Sequence, residues 1–486
     1  MVSQEQSRSV WFSLSLIVGA GVNRRKFNHG LLWAMPLGGV SGQVWSAQPG
    51  MDVALARGGK GWSFASPEAF PDNYVMEEFL LSGEAHRYEG LGDAPFPKTG
   101  EWRTKRGVLE PFTTRAYVVR PRSADDFNGV AIVNWQNVTA GFDLGAPLNA
   151  EIFRGYAWIG LTTQKIGVDG TANTPGLRQW DPERYGGLRH PGDAWSYDMF
   201  SRLGRDLKSP TPASQRLLGG LAVDTLIASG ASQSAMRLGT YINAAHAHER
   251  VYDGFHLTVH WGICPPVEEV ELMTLFAPTG DQVTAYHSQL RDDLDVPILS
   301  IATECESRYN YPVRQPDTDT HRFWEVAGAS HQSPLRADDL RKIMSRDGVQ
   351  LNAPPIDRNT VHWDYIDNAG LRALTNWIRE GVAPVSVEQI RMSGNRMDSA
   401  ERDEHGNVKG GIRVPELEAP VASYRGERGS IADPSWLSGQ TLPFSAAKIA
   451  ELYPNGRAPA WNAAVDRLKV QGLVLPEDEA SVRARV

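Results

Sequence analysis

Cysteine is nearly absent from this chain: Cys264 and Cys305 are the two among 486 residues. Two thiols exclude a disulfide framework and a four-thiolate zinc site. No apolar run approaches the ~20 residues that span a bilayer, so no integral membrane segment is expected. Positive charge is in the minority, with Lys+Arg 49 against Asp+Glu 57 and a net charge of -8. Such a chain has no electrostatic attraction for nucleic acid or for an anionic membrane surface. Internal repeats and low-complexity stretches are missing, which excludes a repeat array. There is no H-E-x-x-H, and His246-Ala247-His248 would set its two rings on different helix faces. No Gly-rich phosphate loop follows a strand. Neither a metal nor a cofactor is therefore expected.

What is there is an ordinary folded composition, 41% apolar and 22% charged. The length suits two to three average domains or one large, elaborated α/β domain. Near the N-terminus, Asn23-Arg24-Arg25-Lys26-Phe27 precedes a weakly apolar stretch and then small residues to Ala47. A paired arginine in that setting reads as a twin-arginine-type export signal over 1–47, and hence a periplasmic or secreted protein. That segment carries a net +3, so its removal would take the charge from -8 to -11.

From about residue 105 short β-branched runs alternate with helical patterns. Strands are expected at 112–120, 129–135, 158–163, 224–228, 252–259, 297–302 and 323–326, and helices at 148–156, 235–246 and 368–380. That rhythm implies an α/β fold: a mostly parallel central sheet with helices on both faces. Residues 164–215, rich in Pro, Gly and aromatics, read as a cap-like insertion, and 384–486 as a C-terminal extension with a loop or hairpin at 397–413. No linker demands a second domain, so 48–486 reads as one.

The chemistry concentrates at 224–246. A β run ends at Gly230, Ala231-Ser232-Gln233-Ser234 follows, and a helix begins. A strand running straight into a helix needs a sharp, strained turn with small neighbours. This is the nucleophile-elbow pattern G-x-S-x-G with Ser234 in place of the second Gly. The turn would lift the Ser232 hydroxyl to the end of the sheet and leave the Gln233 N–H free to stabilise an oxyanion. A serine needs a base to take its proton. Phe323 to Val326 is a late strand, and the small-residue loop after it ends in His331. Among other histidines, His246 and His248 should be solvated at a helix end. His256 and His260 alternate on a strand, core or pocket, and His190 lies in a Gly/Pro loop that could line the pocket. The acid should follow the penultimate strand, where Thr303-Glu304-Cys305-Glu306 stands; spacing favours Glu306, with Glu304 as runner-up and Asp317 and Asp319 further off. A second oxyanion donor is expected at Asn137 or Val138, after the strand ending at Trp135. Trp180, Tyr185 and Trp195 are candidates to line the substrate pocket. Cys264 and Cys305 follow neighbouring strands, leaving one disulfide or two free thiols open.

With VNWQNVTAG, WDPERYGGLRHPGDAWSYD, GASQSAMRLGTYIN, WEVAGASH and GNVKGGIRVPELEAPVASY in view, the chain resembles an exported bacterial α/β-hydrolase domain family of serine esterases. The resemblance covers most of 60–486. It implies an α/β-hydrolase fold and ester hydrolysis through Ser232, His331 and an acid, acting on a small-molecule ester. A lactonase or acyltransferase on the same residues is the nearest rival. A non-catalytic binding protein that retains the fold is the rival from another class.

Overall fold

A computed structural model describes residues 50–486 except 63–69, 94, 146–148, 173, 271–274, 277, 280–282, 350–352, 394–399 and 430–434. The export segment expected over 1–47 lies outside the described residues. The described residues belong to one compact unit.

Nine strands form the central sheet. They are β1 (Asp52–Leu55), β2 (Tyr74–Gly90), β3 (Thr104–Pro121), β4 (Val130–Trp135), β5 (Ala157–Leu161), β6 (Thr225–Ala231), β7 (Gly254–Thr258), β8 (Ile298–Thr303) and β9 (His321–Val326). Their order is β1-β2-β3-β5-β4-β6-β7-β8-β9. The first three pair antiparallel, and the six from β5 to β9 pair parallel. The parallel strands are short β-branched and small-residue runs with few polar positions, as a sheet covered on both faces requires. Six expected strands match β4 to β9 within a few residues. The expected strand at 112–120 is the C-terminal half of the longer β3, and β1 and β2 were not anticipated. Their outward faces are polar, which blurs the apolar pattern.

Helices cover both faces. On one side α1 (Asp193–Lys208) and α2 (Gln233–Tyr241) pack on the sheet. Trp135 there lies 5.1 Å from Phe200 and 5.4 Å from Tyr197, ring centre to ring centre. On the other side α5 (Asp364–Glu380) buries Ile366, Leu371, Leu374 and Trp377 at helical spacing, and Gly381 closes it at φ 72°. Gly370 lets this helix approach the sheet: a Cβ there would stand 2.6 Å from Ile301 Cδ1. Each fully buried Leu, Ile or Phe in such a core contributes about 1.5–3 kcal/mol.

The structure corrects three expectations. Within 164–215, the stretch 193–208 is no cap over the site, although Gln164, Ile166, Thr171, Thr174 and Asp193 line the space beside Gln233. Thirteen of the sixteen residues of α1 are buried, its Asp198 accepts from the His86 N–H of β2 at 2.7 Å, and it is a sheet-covering helix. Tyr197, Phe200, Leu203 and Leu207 recur at helical spacing, which is the signal for that role. The helix expected at 148–156 is only a 3₁₀ turn, Ala150–Phe153. His246 is buried rather than solvated: α2 runs into a π-turn, Ile242–His246, and the imidazole packs edge-on against Phe255, centres 4.8 Å apart. The wider turn rotates every later side chain relative to an α-helix. His248 is exposed.

The C-terminal extension is no appendage. It carries a ribbon of β10 (Ala422–Arg425) and β11 (Gln440–Pro443), then α6 (Ala458–Val470) and α7 (Pro476–Arg483). Ile412, Leu417, Trp461, Val465 and Leu468 belong to the same buried cluster as α5. Ile412 also adds to the open edge of β9: the Ala327 N–H donates to its carbonyl at 3.0 Å, and its own N–H donates to the Glu325 carbonyl at 2.6 Å. Of the expected loop at 397–413, residues 397–399 lie outside the described set, and Arg402 and Val408 pair as in a hairpin.

Candidate active site

Ser232 stands between β6 and α2 with φ 59° and ψ -122°. A side chain in that region strains the backbone by about 1–3 kcal/mol and persists only where the surroundings fix it. Three features do so. The Ser232 N–H donates to the Thr258 carbonyl of β7 at 3.0 Å. Gly230 must lack a side chain, since a Cβ would lie 2.8 Å from the Ser234 carbonyl oxygen. The Ser234 hydroxyl accepts from the Ala231 N–H at 2.9 Å and donates to the Ala231 carbonyl at 2.7 Å. The serine that replaces the usual glycine thus closes the turn itself.

The acid loop is equally specific. Thr303 caps α3 (Glu304–Asn310), and Thr303 with Glu306 makes a capping box. Glu306 Oε2 accepts from the Thr303 N–H at 2.8 Å and from its hydroxyl at 2.7 Å. That anchor leaves Oε1 to accept from His331 Nδ1 at 2.6 Å. Glu306 is fully buried. Glu304 turns away, held by Arg402 at 2.8 Å. Asp317 accepts from the Phe323 N–H at the start of β9 and braces that strand instead.

His331 lies on the loop after β9. Gly328 takes φ 71° there, against Leu417, which a Cβ at this position would strike. Asn359 Nδ2 donates to the Gly328 carbonyl at 2.7 Å, and Trp363 Nε1 to the Ser330 carbonyl at 3.2 Å. The imidazole stacks on Trp261, centres 5.0 Å apart and planes 26° apart. Nothing local in the sequence points to Trp261, Asn359 or Trp363, because each reaches His331 or its loop from a distant part of the chain.

The loop after β4 crosses the elbow. Asn137 Nδ2 donates to the Ala231 carbonyl at 3.0 Å, and the Val138 N–H faces Gln233 Oε1 at 3.4 Å. Gln233 Nε2 donates to Gln164 at 2.9 Å, and behind it Asp193 pairs with Arg237 at 3.2 Å. Gln233 opens α2, so its own N–H has no partner inside the helix. Ser232 and His331 line one cleft of ≈ 210 Å³ together with Asn137, Leu340, Trp363 and Leu437. A larger space of ≈ 570 Å³ lies on the Val138 and Gln233 side.

The three expected pocket aromatics are elsewhere. Tyr185 is fully buried and donates to Glu78 at 2.5 Å. Trp180 packs edge-on against Trp62, centres 4.5 Å apart, under Lys60. Trp195 packs on the main core beneath Arg87. His190 is buried, bonded to the Thr163 carbonyl at 2.8 Å. Cys264 and Cys305 are both free and buried, and burial pushes both thiols up. Among the described residues no group of three His, Cys, Asp or Glu is placed to hold a metal ion, and no helix is long and apolar enough to cross a membrane.

A family model described as an alpha/beta hydrolase domain matches residues 47–484. The chain belongs to the α/β-hydrolase domain family. Its strand order and elbow agree with that membership. No curated protein sequence matches it. Among solved structures, the α/β-hydrolase chain is similar to the esterase Est22, at 13% identity over 59% of this chain and 73% of that one, with a TM-score of 0.27. It is also similar to XC6422 from Xanthomonas campestris, described as an α/β serine hydrolase without a lid (12%, 50% and 92%, 0.27). A third is oligopeptidase B from Trypanosoma brucei (13%, 58% and 39%, 0.29).

Proposed function

We propose that the protein is a serine hydrolase that cleaves carboxylic esters through an acyl-enzyme. The observation that carries this reading is the 2.6 Å bond between Glu306 and His331 Nδ1, with His331 and Ser232 in one cleft. The carboxylate holds the proton on Nδ1, which leaves Nε2 as the base. His331 takes the Ser232 proton as Oγ attacks the ester carbonyl. The oxyanion accepts from the Gln233 N–H and, once it leaves Gln233 Oε1, from the Val138 N–H, with Asn137 fixing the loop that carries the latter. The intermediate collapses, the C–O bond breaks, and His331 gives its proton to the departing alcohol. Water then enters, loses a proton to His331 and attacks the acyl carbonyl. The acid leaves, and Ser232 recovers its proton.

Ser232→Ala is expected to lower turnover of p-nitrophenyl esters on the order of a million-fold, and Glu306→Gln by about 10⁴-fold. Glu304→Gln should cost far less, since Arg402 holds that carboxylate away from the base. Steady-state kinetics with a fluorophosphonate label read by mass spectrometry make the test. Wild-type turnover in Ser232→Ala would sink the mechanism. A wild-type protein that no fluorophosphonate labels would point to the binding-protein reading.

A further inference from the structure

Residues in the middle of a parallel sheet are normally buried by the helices on either face. Two polar residues of the central strands are not. Asn134 is the one residue of β4 left partly accessible, and in β6 Ser229 shares that property with Ala231. They face a chamber of ≈ 190 Å³ between the sheet and α5. The chamber adjoins the Ser232 cleft: Asn137, Leu144, Ala231, Thr258, Arg336 and Leu340 line both.

Its polar groups stand in a row. Asn134 is the register partner of Ser229, and Ser229 that of His256, so all three project from one face of neighbouring strands. Asn134 Nδ2 reaches Ser229 Oγ only at 3.4 Å. His256 Nε2 lies 3.1 Å from Asp367 Oδ1, yet neither atom makes an aligned hydrogen bond, although both residues are over nine-tenths buried. The other Asp367 oxygen is taken by Arg336 at 2.5 Å and Asn149 at 2.8 Å. Ile132, Ile152, Trp158 and Leu371 form an apolar part of the wall, beside the polar Ser234 and Thr258.

This mixture selects its occupant. A carboxylate would meet Asp367, and an ammonium would meet Arg336. A neutral hydroxyl both donates and accepts, and so suits a wall that mixes the Ser229 hydroxyl, the Asn134 amide and the Asp367 carboxylate. The volume admits a short chain only. The acyl group stays on Ser232 while the alcohol departs, so an interior chamber suits the acyl part. We infer that this chamber is the acyl site and that it selects short acyl groups carrying a hydroxyl. The inference rests on the serine-esterase reading above. A site built to bond a hydroxyl discriminates against the analogue lacking it, because its buried polar atoms are then left unpaired.

The test is initial rates on the full-length protein, by pH-stat, with ethyl 3-hydroxybutyrate, ethyl butyrate and monoethyl succinate. Wild type is expected to favour the hydroxylated ester over butyrate at least about tenfold in kcat/KM, with succinate poorest. Ser229→Ala and Asn134→Leu, checked for folding by thermal melts, should bring that ratio close to one. A wild-type ratio near one, or a preference for succinate, overturns the assignment whether or not the variants fold. An undiminished ratio in folded variants overturns it too. Turnover of these esters that survives Ser232→Ala would instead remove the esterase reading. Turnover that depends on Ser232 but ignores the hydroxyl would remove the chamber alone.

Discussion

Ser232 was legible as a residue because the chemistry and the backbone ask for the same thing. Its φ of 59° tolerates only small neighbours, and Gly230 and Ser234 at minus two and plus two record that demand in the sequence. The acid was half legible. Glu304 and Glu306 follow the same strand, and spacing favours Glu306 with Glu304 as runner-up. The signal that separates them is the Thr303 to Glu306 spacing, a capping box that points one carboxylate back along the helix toward His331. Trp261 was not legible, because stacking on His331 depends on where the chain returns rather than on any neighbour in sequence. Glu427 was missed for the same reason. Burial, reinforced by Glu304 and Glu306 and opposed by Arg308, raises its carboxyl from 4.5 to about 7. The folded chain thus holds this proton more tightly than the unfolded one. The stability it contributes is complete below about 4.5 and is lost as pH rises through about 7. Glu427→Gln stays neutral, so its melting temperature relative to wild type should climb between about pH 5 and about pH 8. A difference that stays constant with pH would contradict this.

At the scale of elements, strong periodicity was readable and its interruptions were not. The apolar stripe of α5 predicts which face it buries, and Gly381 marks its end. The π-turn after α2 leaves no local sign, so His246 reads as solvated when it is core. The edge of β9 shows how an element is finished by distant residues. Glu325 on this strand is fully buried and accepts from Arg314 Nη2 at 2.7 Å and from the Ile390 N–H at 2.8 Å. One side chain thus ties the strand to the start of the C-terminal extension. Glu325→Ala would leave a mostly buried guanidinium unpaired, and should destabilise by about 3–5 kcal/mol. Glu325→Gln, which keeps an acceptor for Ile390, should cost less. Chemical denaturation midpoints compare the two, and equal midpoints would argue that Glu325 carries no such tie.

At the scale of the molecule, residues 49–486 form a single compact unit. Trp180, Tyr185 and Trp195 were misplaced in the pocket, because an aromatic-rich stretch reads the same whether it lines a pocket or packs on a sheet. Both thiols lie inside this unit, and Cys264 and Cys305 are at most 1% exposed. The native protein should therefore show no reaction with Ellman's reagent and two thiols in guanidinium, with no change on prior reduction. One thiol titrating in the native state would mean that part of the unit opens independently. The bracing of the His331 loop has a consequence for biogenesis. A ribosome delivers Ser232, Glu306 and His331 before it delivers Asn359, Trp363, Ile412 and Leu417, which brace the loop and strand that carry His331. The reactive groups therefore leave the tunnel well ahead of their supports. On the proposed esterase mechanism, activity in a timed translation reaction should appear only after the last hundred or so residues have been made, and a nascent chain stalled before them holds Ser232 without a positioned His331.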